Sequence, residues 1–161
     1  GHIGVKITDP WPLGLFHGYF RDDDVTAEAF RNGWYYTGDT ATRDVDGYIW
    51  FVGRSDDIIS SASYRISPFE VESALVEHEA VLESAVVGKP DQLRGEIVMA
   101  YITLAPGFEP SESLAKDIQE FVKRQTAPYK YPRKIAFRSN LPKTISGKIR
   151  RVELREEAAQ S

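Results

Sequence analysis

The residue types that could do chemistry gather near the carboxyl end of this sequence. The stretch LPKTISGKIRR, residues 141–151, carries Lys143, Lys148, Arg150 and Arg151 with no acidic residue among them. Lys148 follows Ser146-Gly147, and the glycine lets the backbone turn sharply there. Cations without local acids can attract phosphate or carboxylate groups; a lysine on an exposed turn can equally be solvated and idle. The wider charge pattern points the same way. Residues 121–155 hold 11 Lys and Arg against 1 acid, in a chain whose formal net charge is -4. Such a segment suits a nucleotide, a coenzyme or a nucleic acid, or else forms the cationic faces of a solvated helix and strand.

Other chemistries find little support. The sequence has no cysteine, which excludes a disulfide framework, thiol catalysis and Cys-ligated zinc. His2, His17 and His78 lack metal-ligand spacing, so no metal site is expected. No G-x-x-x-x-G-K-[ST], G-x-G-x-x-G or H-E-x-x-H pattern occurs. Ser113 and Lys116 match S-x-x-K, but on an amphipathic helix and without companion motifs. Asp22, Asp23 and Asp24 precede a helix, where the macrodipole favours acids. No window approaches the roughly 18 apolar residues of a membrane span.

The elements that must position these residues fall into two styles. Up to about residue 53 the pattern is β-rich: IGVKI alternates, Trp34–Tyr36 is aromatic, and Asp46-Gly47 separates two strand-like runs as a hairpin turn would. DVTAEAFRNG between them reads as a short helix ending at Asn32-Gly33. Residues 54–57 are polar and aperiodic. From residue 58 the pattern is α+β. Ile58-Ile59 and Tyr64–Ile66 suggest two short strands, and Ser67-Pro68-Phe69-Glu70 has the N-cap, N1 proline and N3 glutamate of a capping box. In the helix that follows, Val71, Ala74, Leu75 and His78 share a face while Glu70, Glu72 and Glu77 point outward. VLESAVVG and EIVMAYITL read as strands joined by the loop KPDQLRG, the second apolar enough to be central. A helix capped by Ser111, the strand RKIAFR and the helix VELREEAA complete the chain.

Four motifs in order, YYTGD (35–39), DGYIWFVGRSDD (46–57), SYRISPFEVE (63–72) and LPKTISGKIRR (141–151), together resemble the C-terminal part of the adenylate-forming acyl-CoA synthetases. TAPYKYPRKI (126–135) is most similar to the medium-chain and aromatic acyl-CoA branch. The resemblance implies a β-rich end of a large adenylation domain at 1–53, a hinge linker at 54–57 and a mobile C-terminal domain at 58–161. That domain is expected to be α+β, with a mixed three-stranded sheet, flanking helices and a short two-stranded hairpin. It also implies a ligase that converts a fatty or aromatic carboxylic acid and ATP, with Mg2+ held elsewhere, into an acyl-adenylate and then an acyl-CoA.

By the same resemblance Lys148 is catalytic in adenylation, Asp39 binds the ribose hydroxyls, Arg54 supports the nucleotide and Asp56 is the hinge. Ser63, Tyr64, Arg65, Arg94, Lys123, Tyr131 and Arg133 match positions around coenzyme A. Ser63 and Ser67 depart from the family pattern, which has glycine at both places, and the Ser63 side chain stands where the pantetheine arm passes. The expected partner is the missing N-terminal domain, without which the chain is expected to be inactive. The expected location is cytoplasmic, with the mitochondrial matrix as the other setting. Two alternatives stand beside this reading: transfer to another thiol such as a carrier protein, and a non-catalytic basic module for nucleic acid.

Overall fold

In the computed structural model, which describes residues 1–161, the chain divides into two compact units, Gly1–Asp56 and Asp57–Ser161. The first is built on β1 (His2–Lys6), α1 (Asp23–Ala29), β2 (Phe30–Arg31), β3 (Trp34–Arg43) and β4 (Ile49–Arg54). All pairings are antiparallel and run through β3, with β1 along one edge and β2 and β4 along the other. Gly47 (φ +92°) turns the β3–β4 hairpin, as Asp46-Gly47 predicts. Asp44 organises that turn by accepting from the N–H groups of Asp46 and Tyr48 and from the Trp50 indole at 2.8 Å. These bonds hold its carboxyl below the usual carboxylate range, the Trp50 bond most of all.

The helix before β3 ends earlier than its sequence predicts. α1 stops at Ala29, and Phe30–Arg31 pairs with Trp34–Tyr35 instead of continuing the helix. Asn32 (φ +53°) and Gly33 (φ +74°) are then a two-residue hairpin turn, not a helix cap. Two adjacent residues at positive φ match the right-handed twist of antiparallel strands.

The second unit contains β5 (Ile59–Ser61), β6 (Tyr64–Ile66), α2 (Pro68–Leu75), β7 (Val81–Asp91), β8 (Gly95–Leu104), α3 (Glu112–Gln125), β9 (Lys134–Phe137) and α4 (Arg151–Gln160). β8 is central, antiparallel to β7 and parallel to β9. The β5–β6 hairpin joins β8 through Ser61 and Gly95. This is the expected mixed sheet with its added hairpin. β7 extends further than predicted, through Lys89 and Pro90, leaving only residues 92–94 as a turn. A proline is tolerated because β7 is an edge strand whose other side needs no ladder bond.

β8 is apolar from Ile97 to Ile102 because both its faces are covered there. Val98, Ala100 and Ile102 meet α2 and α3 through Val71, Leu75, Ile118 and Val122, whereas Met99 and Tyr101 meet Leu141, Leu154 and Ala158. α4 is thereby held on the sheet face opposite α2 and α3. Tyr101 is completely buried and donates its hydroxyl to the Leu154 carbonyl at 3.2 Å. Burial, then the nearby Glu157 carboxylate, raises its pKa. Ser111 caps α3 as expected. Ser67 occupies the N-cap of α2 without making a side-chain cap bond, and Glu70 pairs instead with Lys130. Glu72 does not point outward: its side chain is 12% exposed and accepts the Val86 N–H at 2.8 Å.

Candidate active site

Lys148 sits near the tip of a small hairpin closed by an antiparallel bridge between Lys143 and Ile149. Its backbone is fixed from within. The Thr144 N–H donates to the Lys148 carbonyl at 2.8 Å, the Thr144 hydroxyl accepts the Lys148 N–H at 3.1 Å, and the Gly147 N–H donates to the Thr144 carbonyl. Gly147 takes φ +81°, the left-handed conformation its sequence position anticipates.

The four cations of this segment have different fates. Lys143 pairs with Glu83 at 2.7 Å, Arg150 with Glu153 at 2.5 Å, and Arg151 with Glu72 at 2.7 Å and with Asp57 at 3.6 Å. Lys148 is exposed and has no carboxylate within 4.0 Å. Lys143 and Arg151 thus root the hairpin on remote carboxylates, Arg150 pairs within its own stretch of chain, and Lys148 keeps its charge available. Local sequence suggested that acids were absent; Glu83, Glu72 and Asp57 arrive from other elements, Glu153 follows Arg150 by three residues, and none reaches the tip.

In the first unit Asp39 and Arg54 face each other across β3 and β4. Their side chains are 3.7 Å apart, and Arg54 also donates to the Thr37 carbonyl at 3.0 Å and to Asp56 at 3.1 Å. Gly38 (φ +82°) is the residue that allows this. A Cβ on it would lie 2.8 Å from the Arg54 Nη1.

The remaining predicted residues fall into two groups within the second unit. Ser63 and Tyr64 lie at the β5–β6 turn, where Ala62 takes φ +54° and donates its N–H to the Arg94 carbonyl at 2.7 Å. Tyr64 stacks on Tyr129, centroids 3.9 Å apart. Around Tyr131, the Lys123 ammonium lies 5.6 Å and the Arg133 guanidinium 5.1 Å from the ring, and Arg133 donates to its hydroxyl at 3.2 Å. Cations over an aromatic face form a surface suited to a phosphorylated ligand. Arg65 is exposed and alternates to the face opposite Tyr64, so it is not brought together with either group.

Sequence reasoning missed Tyr129, Lys130, Glu72, Asp57 and Glu83. The Tyr-Lys-Tyr run at 129–131 offered a signal for the first two. Nothing local could have paired Arg151 with Glu72, 79 positions away.

Residues 70–148 match the AMP-binding enzyme C-terminal domain. The match ends on Lys148. The chain is 58% identical over 156 residues to 4-hydroxybutyrate–CoA ligase 1 of Metallosphaera sedula, covering 97% of this chain and 27% of that protein. It is 54% identical over 159 residues to the human mitochondrial acyl-coenzyme A synthetase ACSM5, covering 98% of this chain and 28% of that one. The chain belongs to the adenylate-forming acyl-CoA synthetases, matching their C-terminal part. Among solved structures, the anthranilate CoA ligase AuaEII in complex with anthranoyl-AMP superposes with a TM-score of 0.80 and 42% identity, over 89% of this chain and 28% of that one. The chain therefore spans about a quarter of the length of the synthetases it matches. The Lys148 hairpin, the Tyr64–Tyr129 stack and the cations over Tyr131 belong to one folded unit with a continuous sheet.

Proposed function

We propose that this chain is the portion of an AMP-forming acid–thiol ligase that supplies the catalytic lysine and the coenzyme A surface. In the first half-reaction a carboxylate oxygen of a fatty or aromatic acid attacks the α-phosphorus of ATP and the bond to the β-phosphoryl oxygen breaks. Pyrophosphate leaves and an acyl-adenylate forms. Negative charge grows on the phosphoryl oxygens along this path, and an ammonium held ready at a water-excluded site stabilises it. Lys148 suits that role. The observation that carries the proposal is that it alone among four neighbouring cations is left without a carboxylate, on a hairpin that Lys143 and Arg151 anchor to Glu83 and Glu72.

Asp39 accepts the two ribose hydroxyls, and Arg54, which already holds the Thr37 carbonyl, supports the nucleotide. This chain has no group of three or more His, Cys, Asp or Glu side chains able to hold the magnesium that would accompany ATP. In the second half-reaction the sulfur of coenzyme A attacks the acyl carbon and AMP departs with its phosphate. Lys123 and Arg133 over Tyr131, with Tyr64 and Arg94, receive the coenzyme's phosphates and adenine; the Ser63 hydroxymethyl borders the pantetheine arm. Reorientation at Asp56 brings first Lys148 and then this surface to the reacting centre on the N-terminal part of the enzyme. The exposed Trp50 and Phe51 of β4 support a further body of protein against the first unit. No helix is long and apolar enough to cross a membrane; the cytoplasm or the mitochondrial matrix would be its place of work.

The nucleic-acid alternative loses its ground to the ion pairs. Of the 11 cations in residues 121–155, six besides Lys123, whose exposed i,i+3 pair with Glu120 a phosphate can displace, are engaged with carboxylates, so most of the basic segment is already neutralised. The deciding experiment assays the two half-reactions of the full-length enzyme separately. Lys148→Ala is expected to lower adenylation roughly 10²- to 10³-fold, the usual cost of one transition-state donor, while thioester formation from supplied acyl-adenylate persists. Equal loss in both halves would refute the role. Transfer to a carrier-protein thiol but not to coenzyme A would favour the other acceptor.

A further inference from the structure

The Lys148 hairpin has only one bridge of its own, so its aim depends on what grips its roots. The outgoing root is Arg151, the first residue of α4, three positions from Lys148. Its guanidinium donates through Nη2 to both Glu72 oxygens, at 2.9 and 2.7 Å, and through Nε to Oε1 at 3.3 Å. Nη1 lies 3.6 Å from Asp57 Oδ2. Arg155, one turn along α4, takes the other Asp57 oxygen at 2.5 Å. The two carboxylates are 12% and 13% exposed, and Glu72 is further fixed by the Val86 N–H of β7. Asp57 is the first residue of the second unit.

Ion pairs this deep contribute little net stability compared with well-packed apolar side chains, because desolvation offsets the attraction. What they offer is geometry. A bidentate fork fixes orientation as well as distance, which a lysine cannot do. We propose that Asp57, Glu72 and Arg151 form a positioning clamp, which ties the base of the Lys148 hairpin to the residue that follows the hinge. Reorientation at Asp56 then reaches Lys148 through a rigid path: Asp57, Arg151, three residues of hairpin, ammonium. The clamp touches no reactant; it acts through Lys148. This inference rests on the adenylation role proposed above.

The test uses the full-length enzyme, with pyrophosphate exchange for adenylation and acyl-CoA formation from supplied acyl-adenylate for the second half. Arg151→Met is expected to lower kcat of adenylation by roughly 10- to 50-fold, since displacing a catalytic group by about 1 Å can cost up to 10²-fold. KM for ATP and the second half-reaction should stay within about three-fold of the parent. Arg151→Lys, which keeps the charge without the fork, should fall between the two. In a Lys148→Ala background Arg151→Met should add nothing to the adenylation defect. Glu72→Gln, which keeps an acceptor for the Val86 N–H, and Asp57→Asn should repeat the selective loss, and they carry the test if thermal melting shows Arg151→Met to be unfolded. Equal damage to both half-reactions, or a full additive effect on Lys148→Ala, would overturn the clamp while leaving the Lys148 role intact. A Lys148→Ala enzyme with normal adenylation would overturn both.

Discussion

Replacing Gly38 with alanine tests the geometry of the Asp39–Arg54 pair more sharply than deleting either charge. Two costs add. Gly38 stands at φ +82°, where an L side chain costs about 1–2 kcal/mol. The new Cβ would also lie 2.8 Å from Arg54 Nη1 and 2.9 Å from Cζ, so the guanidinium must move. Its bond to the Thr37 carbonyl at 3.0 Å is then lost. A hydrogen bond from a charged donor contributes about 1.5–3 kcal/mol when buried, and about 1 kcal/mol is reasonable for a guanidinium that is half exposed. The total is about 2–3 kcal/mol. Gly33→Ala is the control in the same unit: φ +74°, with nothing within 4 Å of the new Cβ, so it bears only the backbone cost of about 1–2 kcal/mol. Trp11, Trp34 and Trp50 all lie in residues 1–56, so urea denaturation followed by tryptophan fluorescence reports this unit alone. In the full-length enzyme Gly38→Ala should also raise KM for ATP, whereas Gly33→Ala should not. If the two substitutions cost the same, or if Arg54→Ala is equally harmful with and without Gly38→Ala, the steric reasoning is wrong.

Two further predictions concern the second unit. The Tyr101 pKa is raised by burial, so the unfolded chain releases that proton first as pH rises past 10.0. The neutral phenol's contribution is complete below that value and is lost above it. Tyr101→Phe should cost about 1 kcal/mol at pH 7 through the lost bond to Leu154, and should flatten the decline above pH 10 seen by circular dichroism; an unchanged alkaline slope would contradict the assignment. Leu154→Ala should cost about 2–5 kcal/mol, because Leu154 is completely buried and anchors α4 to β8; hydrogen exchange should then show α4 and the Lys148 hairpin losing protection before β7 and β8.

Much of the fold was legible in the order of residues because the forces responsible are local. Alternation made the strands, spacing at three and four made α3, and Asp46-Gly47 made its hairpin. The resemblance likewise rested on short motifs, and the roles proposed for Lys148, Asp39 and Arg54 come from them. Reading failed where a distant partner overrode a local preference. Phe30–Arg31 left the helix for β3, and Glu72 turned inward to meet Val86 and Arg151.

The sequence by itself determined that cations are segregated near the carboxyl end, and that a glycine corner offers one of them. Only the tertiary structure decided which cation stays available. Glu83, Glu72 and Asp57 are remote along the chain but reach the hairpin's roots through β7, α2 and the start of the second unit, while no acid reaches its tip. Charge neutralisation acts over a few ångströms of space and is blind to sequence separation, so a string of residues fixes the inventory of charges and folding fixes their pairing.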